Sequence, residues 1–171
     1  IFTDEVVRSG FAYPFLTTEA VTPVIAANAN AEVREEVVGG VTQGKVTIAI
    51  GYSEPNAGTD LASLTTRAER DGDHWIINGQ KQYITNAPTA DLFVVFARTR
   101  PADDKGAGIA VFLVPADTPG VEVGAKDKKM GQEGAWTADV NFTDVRLPDS
   151  ALVGGSEDIG YRAAMVWLAR G

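Results

Sequence analysis

The stretch "VTIAIGYSEPNAGTD", residues 46–60, decides how the chain folds. Its first five residues are apolar and mostly β-branched, which predicts a buried strand. The run then ends in a mixture of hydroxyl groups, a carboxylate, a proline and a glycine. Pro55 restricts the residue before it, so Glu54 is expected to leave the strand in an extended rather than a helical conformation.

The residues after this strand suggest a loop that approaches a ligand. Gly58 permits close approach to the backbone, and Ser53 and Thr59 supply hydroxyl groups. Such a loop can present successive N–H groups to a phosphate. The alternative is a tight connection in which Asp60 caps a short helical turn. Composition alone does not decide between the two interpretations.

A second informative stretch is "QKQYIT", residues 80–85. In a regular strand Lys81, Tyr83 and Thr85 share one face, and the residues between them share the other. The roots of Tyr83 and Thr85 would lie roughly 6.6 Å apart, which suits a flat ring system stacked on the phenol and hydrogen-bonded by the hydroxyl. A flavin is such a ring system. The alternative is that Tyr83 packs in the core and Thr85 is an ordinary strand residue.

The rest of the chain predicts helices, then a β domain, then a helix. Residues 1–45 have helical spacing, with Asn30 as an N-cap. Residues 160–171 again have helical spacing. Between them we expect strands near 46–51, 64–70, 74–78, 80–85, 91–98, 108–114, 120–125 and 136–146.

Two of these strand connections carry hairpin signals. In "RDGDHW", residues 70–75, a Gly-Asp pair separates two strand-like runs. In "INGQK", residues 77–81, Asn78–Gly79 has the composition of a two-residue type I′ turn. Both are predicted to be hairpins, the second more strongly than the first.

Composition excludes several classes of protein. The 171 residues carry a formal net charge of −8, which argues against a nucleic-acid surface. The longest apolar runs fall well short of the roughly 20 residues that span a bilayer, so no membrane segment is expected. The absence of cysteine fits a reducing compartment, and the cytoplasm is the expected location. Because the chain opens "IFTDEVVRSG" without an initiator methionine, we expect it to start inside a longer polypeptide.

Several motifs, taken together, resemble the acyl-CoA dehydrogenases. They are "SEPNAGTD" (53–60), "INGQKQYITNAPTAD" (77–91), "ARTR" (97–100) and "KMGQEGAWTADVNFTDVRLP" (129–148). The family patterns are T-E-P-x-A-G-S-D, N-G-x-K-x-W-I-T-N, and K-M-G followed by F-x-D-V-x-V-P. The motifs occur in the family order and at similar spacing, and the resemblance covers nearly the whole chain.

The resemblance implies an α+β chain that is mainly a β middle domain. Residues 1–46 would end an N-terminal helical domain, residues 47–153 would form a β-barrel of two packed antiparallel sheets, and residues 154–171 would begin a C-terminal helical domain. The barrel and the helices would enclose FAD and an acyl-CoA. Carried across by position, the residues implied to bind FAD are Ile50, Tyr52, Ser53, Gly58, Thr59, Tyr83, Ile84 and Thr85.

Within that set the resemblance implies separate roles. The residues up to Ser53 would line the flavin, and Gly58 and Thr59 would lie by the pyrophosphate. Tyr83 and its neighbour Ile84 would flank the isoalloxazine, and Thr85 would hydrogen-bond flavin N5, the hydride acceptor. Thr59 and Arg170 would also contact the substrate. No metal site is implied.

The implied activity is α,β-dehydrogenation of an acyl-CoA to the trans-2-enoyl-CoA, as in fatty-acid β-oxidation. Electrons would pass to an electron-transfer flavoprotein, and the assembly would be a homo- or hetero-oligomer, a dimer or a tetramer such as a homotetramer. The alternatives are an acyl-CoA oxidase or flavin monooxygenase of the same fold, and a non-catalytic subunit that completes a partner's FAD site.

The chain departs from the family pattern at three places. The α-proton must be removed by a carboxylate, yet Ala169 stands where a minority of members carry that glutamate, just before Arg170. The catalytic base is therefore expected outside this sequence. Tyrosine replaces tryptophan at Tyr83, and "GQEGAWTAD" (131–139) replaces a stretch that often carries arginine and serine. Glu54 looks like a base but matches a structural glutamate in the family motif.

Overall fold

The computed structural model describes residues 2–9, 15–101, 107–132 and 134–168. The helices are α1 (Phe2–Ser9), a π-helix (Leu16–Val21), α2 (Thr22–Asn28), α3 (Ala31–Thr42) and α4 (Ile159–Leu168). The strands are β1 (Ile48–Gly51), β2 (Arg67–Asp71), β3 (His74–Thr85), β4 (Leu92–Arg98), β5 (Ile109–Pro115), β6 (Val121–Val123) and β7 (Thr137–Pro148). Short 3-10 turns lie at Leu61–Ser63, Ala87–Thr89, Asp149–Ala151 and Val153–Gly155.

The N-terminal helices form where the sequence predicts helical structure. The π-helix leads directly into α2, whose second residue is Pro23. Because Pro23 has no N–H to offer the preceding turn, the backbone widens there instead of continuing as an α-helix. The Asn30 side chain accepts a hydrogen bond from Val33 N at 2.9 Å, so the predicted N-cap of α3 is confirmed. Thr17 of the π-helix bonds both N and O of Ile48, which fixes these helices to β1.

The strands form one curved, hydrogen-bonded sheet in the order β1-β4-β2-β3-β7-β6, and β5 pairs with the other edge of β4. The pairs β2–β3, β3–β7, β6–β7 and β4–β5 are antiparallel. The mainly β middle domain is therefore confirmed. In detail it differs from two purely antiparallel sheets, because β1 and β2 both pair with β4 in parallel.

The sheet separates two hydrophobic cores. One face of β1, β4 and β5 packs against the N-terminal helices, with Phe96 and Ile48 fully buried there. The opposite faces of the same strands turn toward β2, β3 and β7, and this inner core contains Phe93, Phe112 and Trp75. Because β4 and β5 are covered on both faces, they read as continuous apolar runs.

The predicted hairpin at Asn78–Gly79 is wrong, whereas the hairpin at 70–75 is confirmed by the pairing of Arg70 with Trp75. β3 runs unbroken through Gly79. A Cβ atom on Gly79 would lie 2.5 Å from Thr66 Oγ1, so this glycine permits close approach of the residue just before β2 rather than a turn. Asn78 instead bonds Asp144 across the sheet, with Oδ1 accepting from Asp144 N at 2.8 Å, beside an irregularity in β7.

Within the described ranges, no helix is long and apolar enough to cross a membrane. The domain boundaries at 46/47 and 153/154 stay predictions. The first falls in the connection between α3 and β1, and the second falls inside the 3-10 turn that precedes α4.

Candidate functional site

The two segments predicted to contact a cofactor lie side by side. Gln82 N donates a 2.8 Å hydrogen bond to the carbonyl of Ser53, although the two residues are 29 positions apart. β1 ends at Gly51, and this contact shows that the chain just after it passes beside β3. The loop that begins at Ser53 therefore starts next to the stretch that carries Tyr83 and Thr85.

A β-bulge re-orients this end of β3. Lys81 pairs with Val140 and Ile84 pairs with Ala138, so Gln82 and Tyr83 together face the single residue between those partners. Tyr83 adopts a φ of 58°, in the left-handed region. Its N–H group donates to Asp139 Oδ1 at 3.3 Å instead of to the strand ladder.

The bulge overturns the predicted alternation of side chains. Lys81 and Ile84 are both buried, whereas Tyr83 is 67% exposed. Lys81 therefore does not share a face with Tyr83, because the extra residue shifts the pattern by one position. The interpretation that placed Tyr83 in the core is also wrong. Thr85 is half-buried and pairs with Thr137.

The Ile50 side chain is buried, and the half-buried Tyr52 side chain packs against the same core. Ile50 belongs to the core that faces the helices, and the Tyr52 ring lies 4.5 Å from the Phe96 ring, measured between centroids. Burial raises the pKa of the Tyr52 hydroxyl well above its usual value. A cofactor contact from Tyr52 would therefore come from its backbone rather than from its ring.

Beneath the two segments lies a buried ion pair that sequence reasoning missed. Lys81 Nζ donates to Glu54 Oε1 at 2.8 Å and to the carbonyl of Tyr52 at 3.3 Å. Glu54 Oε2 accepts from the N and Oγ1 of Thr65, at 2.6 and 2.7 Å, and Oε1 accepts from Thr66 N at 2.9 Å. The geometry agrees with a structural role for Glu54, whose main-chain donors lie just before β2.

The environment shifts the pKa values of both charged groups. Burial alone would raise the pKa of Glu54, but the charge of Lys81 and the hydrogen bonds to the carboxylate lower it to about 2. Burial lowers the pKa of Lys81 to about 8, although the charge of Glu54 opposes that shift. At neutral pH the pair is therefore ionised.

The loop after Ser53 exposes Gly58 and Thr59. A Cβ atom on Gly58 would meet nothing within 4 Å, so the space beside this backbone is open to a ligand. The alternative interpretation is half right. A short 3-10 turn does follow Asp60, but the Asp60 side chain makes no capping hydrogen bond.

A second exposed aromatic side chain lies at this end of the sheet. Trp136 is 39% exposed, its carbonyl accepts from Asn86 N at 2.7 Å, and Lys126 Nζ lies 3.8 Å from its ring centroid. Trp136 lies in residues 131–139, the stretch in which the sequence departs from the family pattern, and that departure was the signal that could have identified it. The predicted substrate contact at Arg170, and Ala169 before it, lie outside the described residues.

Comparison with known proteins decides the family. The family model described as "Acyl-CoA dehydrogenase, middle domain" matches residues 49–145. The chain belongs to the acyl-CoA dehydrogenase family. The match covers β1 through most of β7, and thus contains both predicted cofactor segments.

Individual members of the acyl-CoA dehydrogenase family are similar over most of this chain. The long-chain specific mitochondrial acyl-CoA dehydrogenase of Rattus norvegicus is 43% identical over 85% of the chain and 34% of its own length. Acyl-CoA dehydrogenase FadE29 of Mycobacterium tuberculosis is 37% identical over 95% of the chain and 41% of its own length. The chain thus spans well under half the length of these curated relatives.

Two solved structures show the same fold. A chain of the ChsE4–ChsE5 complex from Mycobacterium tuberculosis superposes with a TM-score of 0.89 and 37% identity, covering 99% of this chain and 43% of that one. A chain in a structure described as the electron transferring flavoprotein of Acidaminococcus fermentans superposes with a TM-score of 0.83 and 34% identity, covering 87% and 39%.

The residues at the site fit a planar, polar-edged cofactor such as a flavin. Tyr83 presents an exposed aromatic face, and Thr85 is two residues further along the same strand. Ser53 and Thr59 bring hydroxyl groups, and the backbone at Gly58 is open on one side. This donor set combines a stacking surface with neutral hydrogen-bonding groups, as a flavin requires.

Proposed function

We propose that the complete protein binds FAD at this site and catalyses α,β-dehydrogenation of an acyl-CoA to the trans-2-enoyl-CoA. The observation that carries the proposal is the 2.8 Å hydrogen bond from Gln82 N to the Ser53 carbonyl. It joins the segment with the exposed Tyr83 to the loop with the open Gly58 backbone. Membership in the acyl-CoA dehydrogenase family supports the same conclusion.

In this proposal each predicted site residue has a physical role. Tyr83 and Ile84 border the ring system, and the Thr85 hydroxyl donates a hydrogen bond to flavin N5. The backbone at Ile50, Tyr52 and Ser53 lines the ring edge. Gly58 and Thr59 approach the pyrophosphate, where main-chain N–H groups can bind negative charge, and Thr59 and Arg170 contact the acyl-CoA. Bound FAD supplies the acceptor for the substrate hydride.

The partners belong to the same proposal. We propose an electron-transfer flavoprotein as the electron acceptor. The similarity to a chain in the structure of the electron transferring flavoprotein of Acidaminococcus fermentans supports this. An oligomer, homomeric or heteromeric, is supported by the similarity to a chain of the ChsE4–ChsE5 complex. The absence of cysteine is consistent with a cytoplasmic location.

The test is rapid mixing of the FAD-loaded complete protein with acyl-CoA under anaerobic conditions, followed by flavin absorbance. Bleaching of the flavin band and formation of the enoyl product support dehydrogenation. Peroxide release in air, without transfer to an electron-transfer flavoprotein, would indicate the oxidase alternative instead. Reduction that appears only after a second subunit is added would indicate a subunit that completes a partner's site.

The position of Thr85 gives the sharpest variant. Thr85→Ala removes the hydroxyl and is expected to slow flavin reduction by about five-fold, since one hydrogen bond contributes about 1 kcal/mol and about 1.4 kcal/mol changes a rate ten-fold. Thr85→Ser keeps the hydroxyl and is the control. Equal reduction rates in Thr85→Ala and the unmodified protein would contradict the assigned contact with N5.

A further inference from the structure

The ion pair between Lys81 and Glu54 connects three separate segments of the chain. Lys81 lies in β3, Glu54 follows the end of β1, and the Thr65–Thr66 donors precede β2. The side chain of Lys81 is fully buried, and that of Glu54 is 2% exposed. Along β4, β1 ends opposite Val95 and β2 begins opposite Arg98, and the pair bonds the chain on both sides of that interval.

Stability alone does not account for charged groups at this position. Removing two charges from water is costly, and well-packed apolar side chains of similar volume often serve a fold equally well. The rest of the inner core is built in that way, with Trp75, Ile77 and Phe93. A pair with fixed hydrogen-bond directions instead specifies how the segments are placed relative to one another.

Every segment fixed by the pair continues into the candidate site. Ser53 is adjacent to Glu54. Glu54 also bonds both ends of the segment that contains Gly58, because its N–H donates to Ala57 O and its carboxylate accepts from Thr65. On the other side, the bulge at Tyr83 begins directly after Lys81. Movement of either charged side chain would therefore change the distance between the loop and the bulge.

We propose that Lys81 and Glu54 are positioning residues that hold the loop after Ser53, which carries Gly58 and Thr59, and the bulge at Tyr83 in the relative geometry needed to bind FAD. The inference rests on the proposed function and adds two residues that do not touch the cofactor. Lys81 acts through the carbonyl of Tyr52 and the carboxylate of Glu54, and Glu54 acts through Thr65 and Thr66.

Two variants of the complete protein disturb the pair to different degrees. Lys81→Met keeps most of the unbranched side chain but removes its charge and its hydrogen bonds. Gly51→Ala is milder, since the added Cβ would lie 3.3 Å from Lys81 Cγ and push on its stem. Leu147→Ala is the matched control, because Leu147 is buried in the inner core and pairs with Trp75 at the opposite end of β3.

The measurements separate positioning from stability. For each variant, FAD affinity is titrated by flavin fluorescence, the visible circular dichroism of the flavin is recorded at saturating FAD, and the unfolding midpoint is determined. Lys81→Met is expected to weaken FAD binding by about ten-fold or more and to change the dichroism. Leu147→Ala is expected to lower the midpoint while the FAD affinity and the dichroism stay as in the unmodified protein.

The outcomes are distinguishable. If the loss of FAD affinity is in the same proportion to the drop in unfolding midpoint in Lys81→Met and in Leu147→Ala, the ion pair is only a stabilising contact and the inference is overturned. If Lys81→Met does not fold, Gly51→Ala decides: weaker FAD binding at an unchanged midpoint supports positioning, and unchanged affinity and dichroism overturn it. Failure of the unmodified protein to bind FAD would overturn the proposed function together with the inference.

Discussion

The two ends of β3 are built on different principles. At the His74 end the strand is regular, and Trp75 and Ile77 point inward in simple alternation. The Trp75 ring meets Phe112 edge-on at 5.3 Å between centroids, and its Nε1 donates to Asp149 at 2.9 Å. The inward-facing apolar side chains are covered there and the indole N–H has a partner, as a folding core requires.

At the Thr85 end the same strand departs from these rules. A cation is buried at Lys81, Tyr83 occupies the left-handed region, and the aromatic rings of Tyr83 and Trp136 remain exposed. Each feature is unfavourable for folding considered alone. Local departures of this kind are concentrated at functional sites, so the difference between the two ends is consistent with the proposal that FAD binds at the Thr85 end.

The largest expected effect belongs to the His74 end. Trp75→Ala should lower the free energy of unfolding by about 3–5 kcal/mol, because it empties a buried site and leaves Asp149 without its indole donor. Chemical denaturation of the complete protein measures the loss. The visible dichroism of bound FAD should not change, and a change as large as that of Lys81→Met would break the distinction between the two ends.

The next effect is a pH dependence at the Thr85 end. The pKa of Glu54 is lowered from 4.5 to about 2 in the folded protein, so the unfolded chain takes up the proton first. The ionised Glu54 carboxylate therefore stabilises the folded protein fully above pH 4.5, and this contribution is lost as the pH falls toward 2. Its full value is about 3 kcal/mol, at about 1.4 kcal/mol per pH unit.

Urea unfolding of the complete protein at pH 5 and pH 3 measures this dependence. Glu54→Gln should show a smaller difference between the two pH values than the unmodified protein. Glu122→Gln, at an exposed position of β6, is the control and should leave the difference as it is. An equal loss of stability in the unmodified and Glu54→Gln proteins would show that the carboxylate does not titrate with folding.

The sequence predicts the regular parts of the fold because they follow from local chemistry. The Asn30 cap and the turn at Gly72, which has a φ of 63°, need only neighbouring residues. The Asn78–Gly79 pair has equally good turn chemistry, yet Gly79 permits the close approach of Thr66, which lies just before β2. Long-range packing overrides the local signal there, and no local pattern contains that information.

The sequence predicts which segments form the candidate site but not how the chain is arranged there. The motifs of the acyl-CoA dehydrogenases identify Ser53, Tyr83 and Thr85, and the structure brings their segments together. The burial of Lys81 was missed because strict alternation assumes that no residue is added. The bulge depends on Asp139 in β7, which accepts from the Tyr83 N–H, and that contact is not visible in the sequence of β3.

A smaller effect, of opposite sign, is expected at Tyr83. Tyr83→Gly should raise the free energy of unfolding by up to about 1 kcal/mol, because glycine adopts positive φ without a Cβ clash and the lost ring is mostly exposed. FAD binding should weaken at the same time. Tyr83→Ala is the control, since it also loses the ring but keeps the Cβ. Equal stability of the two variants would show that the backbone at Tyr83 is not strained.

The smallest effect on stability is expected at Gly58. Its φ lies outside the left-handed region and an added Cβ meets no protein atom within 4 Å, so Gly58→Ala should change the free energy of unfolding by less than about 0.5 kcal/mol. Gly131→Ala is a matched control, because that position is equally open. If a cofactor lies against the loop, titration should show weaker FAD binding in Gly58→Ala and unchanged binding in Gly131→Ala. Equal affinities would mean that the open side of Gly58 faces solvent, and the pyrophosphate would then have to bind elsewhere along the loop.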